Sequence, residues 1–255
     1  MSDTAADLPS WPRLKYESDG GKPFVFFVLY GTFEPPYVYR SKYRCAGLPD
    51  GVVAQKYHDD QLPEVRDQFR QGPAWDEFTA ANPGLADTVS RATEGLVLKG
   101  EVADTDSLNY LRDIIGFITS MMDQGCICVC DPQMQEWWSP RSWRTRIFDV
   151  NEAAPRQHVV VRFSEDTNPE KYWVHTRGMR LFGRPDLSMH DVPKKNRDAA
   201  LDMVERFIEL QAFGGVVPEG KEIAMNSLPA GMKCYHRGHV DAPEFNNVHI
   251  EIEWP

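Results

Sequence analysis

The N-terminal half of the chain contains one long apolar run and one helical pattern. Residues 23–30, PFVFFVLY, form a continuous apolar run closed by Gly31, which is typical of a strand buried on both faces. Further along, apolar residues recur at three- and four-residue steps: Leu108, Leu111, Ile115, Ile118 and Met122. This spacing predicts a helix over 108–122 with a broad buried stripe.

Two strand candidates flank this helix, at residues 95–102 and 126–130. Acidic and Thr residues at 104–106 suit a helix start, and Gly125 suits a helix end. We therefore predict a strand–helix–strand unit over residues 95–130. Between residues 35 and 83, prolines interrupt every period, which favours loops with short helices at 64–70 and 74–81.

The C-terminal half shows a similar succession of elements without a residue-level repeat. The pattern predicts a helix from about Asn196 to Phe213 that ends at Gly214. It also predicts six strands, at residues 159–163, 172–176, 187–192, 222–225, 232–240 and 248–254. The last of these alternates apolar and polar residues, which is typical of a half-buried sheet.

A polar segment without periodicity, residues 149–157, separates the two halves. The sequence therefore predicts an α+β fold of two small lobes, each a mostly antiparallel or mixed sheet covered by one principal helix. In this prediction residues 1–22 are a flexible leader, residues 23–148 the N-terminal lobe and residues 157–255 the C-terminal lobe.

Composition and charge narrow the classes of partner. The 255 residues carry 28 Lys and Arg against 38 Asp and Glu, a net charge of −10. This acidity disfavours general nucleic-acid binding and permits a basic protein partner. No apolar run reaches the roughly 20 residues that span a bilayer, and the polar start of the chain does not match a signal peptide. We expect a cytoplasmic protein.

Cysteine and histidine spacing gives little support to a metal site. Cys126, Cys128 and Cys130 alternate along one strand face about 6.5–7 Å apart, so we expect buried, reduced thiols without a ligand. Cys234, His236 and His239 would form a zinc site only if a bulge at Gly238 turned His239 to their face. The alternative is that these histidines bond to backbone or carboxylate groups; no other cofactor is predicted.

Aromatic and basic residues are concentrated in residues 137–146, WWSPRSWRTR. Exposed Trp and Arg dominate binding hot spots, so this segment supplies five candidate binding residues: Trp137, Trp138, Arg141, Trp143 and Arg144. Two alternatives remain open. Cation–π stacking could simply order the loop, and the tryptophans could belong to the core.

Positive charge is concentrated in residues 171–197, where seven Lys and Arg oppose two Asp. This excess indicates an anion-facing patch, with Arg177 and Arg184 as binding candidates, although a solvated face is the alternative.

The segment 172–187, YWVHTRGMRLFGRPDL, resembles the C-terminal part of a family of bacterial domains of unknown function. In that family a strand ends in a His/Thr-x-Gly-hydrophobic turn, and (Phe/Leu)-Gly-x-Pro-(Asp/Glu) opens the next strand. The resemblance implies an α+β fold and a bacterial origin. It carries over no catalytic residue, because the family has no established activity. Gly178 and Gly183 are expected to adopt positive φ angles at these turns.

The sequence contains no G-x-S-x-G, P-loop, H-E-x-x-H or G-x-G-x-x-G motif. This favours a binding protein over an enzyme, and the acidic charge suggests an inhibitor or immunity-type partner of a basic bacterial protein. The alternative is a hydrolase, metal-dependent or not, acting on a phosphoester-type substrate. Its site would lie in the C-terminal lobe, near His175, Arg177, Arg184, His190, His236 and His239.

Overall fold

The computed structural model describes residues 8–33, 40–58, 67–240 and 245–255. The chain forms two compact units, each with a five-stranded sheet, and the fold class is α+β as predicted. The boundary falls between Ala154 and Pro155, inside the polar segment 149–157. In the described part of the chain, no helix is long and apolar enough to cross a membrane.

The N-terminal unit has the strand order β2-β3-β1-β4-β5. Its strands are β1 (Phe24–Gly31), β2 (Val52–His58), β3 (Glu94–Glu101), β4 (Cys126–Asp131) and β5 (Glu136–Trp138). β1 pairs antiparallel with both β3 and β4, so β3 and β4 run parallel with β1 between them. The predicted strand–helix–strand unit is present, but its two strands are not neighbours.

Helices cover both faces of this sheet. They are α1 (Arg40–Tyr43), α2 (Pro73–Ala81), α3 (Pro83–Ser90), α4 (Asn109–Met122) and α5 (Pro140–Trp143). The helices α2 and α4 match the predicted helices, and α3 was not predicted. Of the predicted helix 64–70, residues 64–66 lie outside the described residues, residues 67 and 68 are helical, and residues 69 and 70 turn out of the helix.

The two faces of β1 contact different helices. On one face Val28 and Tyr30 pack in one cluster with Phe78 of α2 and Val89 of α3. On the other face Phe27 meets the ring of Trp143, 6.0 Å away, and the Trp143 indole N–H donates to Thr119 of α4 at 3.0 Å. The principal helix α4 therefore covers one face, and two short helices cover the other.

The C-terminal unit has the strand order β6-β7-β8-β10-β9. Its elements are β6 (Val160–Glu165), β7 (Lys171–Arg177), β8 (Asp186–Pro193), α6 (Arg197–Ala212), β9 (Lys233–Arg237) and β10 (His249–Glu253). The β8–β10 pair is parallel and the other pairs are antiparallel. Gly178 and Gly183 adopt φ angles of 116° and 65°, as expected.

The predicted strand at 222–225 is wrong. Glu222 forms an isolated bridge with Lys233, and the chain turns soon afterwards, where the Leu228 N–H donates to the Met225 carbonyl. A turn this close leaves no length of chain for a paired strand.

The described part of the predicted flexible leader is packed instead. The Trp11 N–H donates to Asn109 Oδ1 at 2.9 Å within the N-terminal unit. Residues 13–23 and 104–106 belong to the C-terminal unit. There the Arg13 guanidinium, 3% exposed, pairs with Asp104 at 2.5 Å and donates to the Ala212 carbonyl at the end of α6. These hydrogen bonds satisfy buried donors and acceptors, which holds the segment in place.

Candidate anion-binding site

The two faces of the C-terminal sheet differ in chemistry because side chains alternate along each strand. One face is apolar: Val174, Met189, Ile250, Ile252 and Cys234 are at most 1% exposed. The opposite face carries polar and aromatic side chains. We call it the polar face, and it includes Arg162, Trp173, His175, Arg177, Asp186, Ser188, His190, His249 and Glu251.

His175 lies at the centre of the polar face. The register places Arg162 of β6 and Ser188 of β8 directly opposite it. Directly opposite residues of antiparallel strands have Cβ atoms about 4.5–5.5 Å apart. The His175 side chain is buried, with the residue 5% exposed, and its Nδ1 has no hydrogen-bond partner among the described residues.

The surroundings of His175 favour its neutral form. The pKa of His175 is lowered from 6.5 to about 4. Burial is the largest cause, and the positive charges of Arg177 and Arg162 contribute to the same shift. The backbone of Trp173 has a smaller, opposing effect on this pKa. The imidazole is therefore uncharged at pH 7 and presents one N–H donor and one lone pair.

Arg177 follows His175 on the same strand face, at a spacing of about 6.5–7 Å. Burial lowers the pKa of the Arg177 guanidinium, the carboxyl group of Asp186 opposes this effect, and the charge of Arg162 adds to it. Two guanidinium groups, of Arg162 and Arg177, and one imidazole that can be protonated, of His175, thus lie on neighbouring positions of this face.

Trp173 stacks between two histidines. Its ring centroid lies 3.9 Å from that of His175 and 5.2 Å from that of His190, with interplanar angles of 24° and 3°. The indole N–H donates to Ser188 Oγ at 3.1 Å. The outer imidazole, His190, is about half exposed and lies 3.3 Å from the carboxylate of Asp166. The stack orients His175 and shields one side of its ring from water.

The segment that enters β10 covers a second side of His175. The Phe245 ring, 3% exposed, meets His175 edge-on at 6.0 Å and stacks on His249 at 4.5 Å. Two residues later, Asn247 Nδ2 donates to Asp186 Oδ2 at 2.8 Å. This hydrogen bond anchors the segment to β8, so Phe245 is held against the imidazole.

The polar face is polarised along its strands. His190, Asp191, Glu251 and Glu253 help to line a groove of about 380 Å³ beside β8 and β10. Arg162 and Arg177 do not line this groove. A negatively charged ligand is therefore disfavoured at the groove.

The structure separates the residues predicted from the charge of 171–197. Arg177 and His190 lie on the polar face with His175, whereas Arg184 is buried elsewhere in the unit. The Arg184 guanidinium, 2% exposed, donates to the carbonyls of Gly214 and Gly215 at 2.9 and 3.3 Å and pairs with Asp104. Its donors are used within the fold, which makes Arg184 a structural residue.

The segment 137–146 forms part of the N-terminal unit and is ordered. Trp138 and Trp143 are 5% and 1% exposed, so they lie in the core and offer no contact surface. Arg144 pairs with Asp123 at 2.6 Å, and Arg146 lies over the Trp138 ring at 5.1 Å. Trp137 is half-buried against Tyr30, Phe78 and Trp75, and Arg141 alone among the five candidates is exposed.

The cysteines and histidines do not assemble into a metal centre. No group of three or more His, Cys, Asp or Glu able to hold a metal occurs in the described ranges. Cys234 is buried, while His236 is exposed and its Nε2 lies 2.8 Å from the Val217 carbonyl oxygen. β9 ends at Arg237, so the strand does not continue to the exposed His239, and the bulge that a zinc site would require at Gly238 is not part of the strand.

The sequence pattern did not indicate Arg162, Trp173, Phe245 or His249 as site residues. The alternation of Trp173, His175 and Arg177 was readable from the sequence, and it places these three on one face of a strand. The pairing of Arg162 with His175 was not readable, because register depends on contacts between distant strands.

Comparison with known proteins found no relative of this chain. No protein-family model, curated protein or solved structure matches the chain.

Proposed function

We propose that this protein binds an oxyanion on the polar face, at Arg162, His175 and Arg177. The observation that carries the proposal is a buried imidazole whose Nδ1 is unpartnered among the described residues, with Arg162 directly opposite it and Arg177 next on the same strand face. Ligand sites usually fix their ligand with a small number of placed polar groups, and these three side chains supply such a set.

The chemistry of the three side chains fits an oxyanion. A guanidinium is charged at every physiological pH, and its planar N–H groups match two oxygens of a phosphate, sulfate or carboxylate. The charge of Arg162 disfavours the charge of Arg177, and an anion beside both offsets that repulsion. Neutral His175 can add one N–H donor.

This proposal retains the predicted class of binding protein and changes the binding residues. The basic protein partner of an inhibitor or immunity-type protein stays a prediction, supported by the net charge of −10. Trp138 and Trp143 no longer support this predicted partner, because both side chains are buried. The predicted alternative, a phosphoester hydrolase, would also need an oxyanion site, so turnover separates the two classes.

The test is calorimetric titration of the full chain with sodium sulfate and with inorganic phosphate, at low ionic strength. We expect saturable binding of one anion, lost in Arg162→Gln and in Arg177→Gln. The control is Arg206→Gln, whose guanidinium is 65% exposed on α6 and which should bind like the wild type. Equal binding by all three variants, or no binding by the wild type, would contradict the proposal.

Turnover is measured on the same samples with a chromogenic phosphate monoester. Hydrolysis that depends on His175 would favour the hydrolase, and binding without hydrolysis would favour the binding protein.

A further inference from the structure

We propose that the protein forms a symmetric dimer through the outer edge of β2, which pairs antiparallel with β2 of a second copy. The two five-stranded sheets of the N-terminal units would then join into one continuous sheet. This inference concerns the N-terminal unit and is independent of the proposed anion site.

The outer edge of β2 is open to solvent. β2 pairs with β3 over its whole length without a register shift, and among the described residues no other strand pairs with it. Backbone groups alternate in direction along a strand, so every second residue of β2 turns its N–H and C=O away from β3. Residues 53–56 are exposed, and Val53 is 62% exposed. Another strand can therefore reach this edge.

The other three sheet edges are better protected. Soluble proteins protect an edge strand by shortening it, covering it or placing charges and prolines on it. β5 has three residues, and on β9 the backbone of Cys234 exchanges hydrogen bonds with residues 220–221, which cover the outer edge. β6 is only partly exposed over residues 160–164.

β2 lacks these protections. Its sequence, VVAQKYH, contains no proline and no acidic residue, and its one lysine does not guard the edge. The Lys56 ammonium lies 2.9 Å from the Glu94 carboxylate and donates to the Phe33 carbonyl at 2.6 Å. Its charge is therefore engaged within its own unit.

The sequence of β2 is self-complementary about Gln55. When Gln55 lies opposite Gln55 of the second copy, Val53 lies opposite Tyr57, and Ala54 lies opposite Lys56. Two cross-strand pairs of a β-branched and an aromatic residue form, and no like charges oppose each other. The two Gln55 amides can donate to each other, because each has a donor and an acceptor.

The neighbouring registers are less favourable. Centring the pair on Lys56 places two ammonium groups directly opposite each other, which is destabilising. Centring it on Ala54 leaves Tyr57 and His58 outside the pairing. A two-fold axis through Gln55 therefore gives the best self-pairing of this strand, and such an interface uses the same patch on both copies.

Charge also favours β2 as the place where two copies meet. The chain carries a net charge of −10, so two copies repel each other. β2 has no acidic residue, and the repulsion is smallest where acidic side chains are absent. The strand is much shorter than the roughly 20–30 residues that each partner of a standard interface supplies, so we expect a weak dimer that dissociates on dilution.

The first experiment is analytical ultracentrifugation of the full chain from about 5 μM to about 500 μM, in about 0.15 M salt to screen the repulsion. We expect the average mass to rise from that of the monomer towards twice that value. A wild type that stays monomeric over the whole range overturns the proposal, even if an extended peptide of another protein binds this edge.

Charge variants at the two-fold axis locate the interface. Gln55→Lys and Gln55→Glu each place like charges opposite each other, so we expect dissociation constants about fivefold higher in each variant. An equimolar mixture of the two variants should associate at least as tightly as the wild type, because opposite charges then meet. Gln68→Lys makes the same change at an exposed residue of the same unit and should behave like the wild type. Unchanged association of both Gln55 variants places the interface elsewhere and overturns the proposal.

Cross-linking tests the register. The native cysteines are buried, so Gln55→Cys introduces an accessible thiol that would lie opposite itself in the dimer. Under mild oxidation we expect a covalent dimer at least about tenfold faster than with Gln68→Cys, because pairing raises the effective concentration of the thiols. Equal rates overturn this register. None of these outcomes bears on the sulfate titration, so the proposed function stands or fails separately.

Discussion

The rings of Trp173 and His175 stack with centroids 3.9 Å apart, although the two residues are separated by one residue on β7. The usual spacing of side chains on one strand face is about 6.5–7 Å. The two side chains therefore lean together, and the indole occupies space that water would otherwise fill beside the imidazole. This contact accounts for part of the burial that keeps His175 neutral.

Removing the indole should raise the pKa of His175. In Trp173→Leu, water reaches the imidazole and we expect its pKa to move from about 4 towards 6.5. Trp173→Phe keeps an aromatic ring at this position and should retain most of the depression. The measurement is an NMR titration of the His175 ring signals. If the pKa of His175 stays near 4 in Trp173→Leu, Phe245 and the arginines are sufficient to depress it.

The contribution of Asp186 to the free energy of unfolding should decrease as pH rises. Burial raises its pKa from 3.8 to about 6, although Thr176 and Asn247 donate to it. Between these two values the folded protein binds more protons than the unfolded chain, so the free energy of unfolding falls as pH rises.

The variant Asp186→Asn removes this contribution. Between pH 4 and pH 7, the free energy of unfolding in urea of the wild type minus that of the variant should fall as pH rises, since only the wild type carries the Asp186 contribution. Asp198→Asn is the control, since this carboxylate is 96% exposed on α6. Parallel curves for wild type and Asp186→Asn would show that Asp186 keeps its ordinary pKa.

Arg184→Lys should destabilise the C-terminal unit although it preserves charge. The guanidinium reaches the carbonyls of Gly214 and Gly215 and the carboxylate of Asp104 from different nitrogens. A single ammonium cannot replace this planar arrangement, and each buried acceptor left unpaired costs about 1–3 kcal/mol. We expect a loss of roughly 2–4 kcal/mol in urea unfolding, against less than about 0.5 kcal/mol for exposed Arg206→Lys.

The segment 137–146 should affect stability through its buried indole. Trp143→Ala removes a ring that is 1% exposed and the donor to Thr119, so we expect a loss of about 3–5 kcal/mol in the free energy of unfolding. Arg141→Ala changes an exposed side chain of the same segment and should cost less than about 0.5 kcal/mol. If both variants had similar, small effects on the free energy of unfolding, the burial of Trp143 would be contradicted.

The thiols of β4 should be unreactive in the folded protein. Cys126, Cys128 and Cys130 are at most 3% exposed, and none of the five cysteines, all of them in the described ranges, forms a disulfide. Burial raises the pKa of Cys126 to about 12 and those of its two neighbours further, so the thiolate is scarce at pH 8. Iodoacetamide should label the unfolded chain within minutes and the native protein only as fast as it opens. Fast native labelling at any of the three would contradict this burial.

The local pattern of the sequence determined the long elements. The apolar run 23–30 and the helical spacing of 108–122 predict β1 and α4 to within two residues, because buried faces require apolar side chains at the period of the element. The positive φ angles of Gly178 and Gly183 were also predicted, since turns of this kind exclude side chains with a Cβ.

Only the tertiary structure decided the site. Arg162 meets His175 through the register of β6 on β7, and Phe245, some 70 residues further along the chain, meets the His175 ring. For the same reason, the sequence pattern did not predict that Trp143 is buried or that Arg184 is structural. Strand pairing is made by backbone hydrogen bonds that are alike at every residue, so the sequence within a strand shows which side chains share a face. Which strand lies opposite, and in what register, is decided by how the whole unit buries its apolar surface.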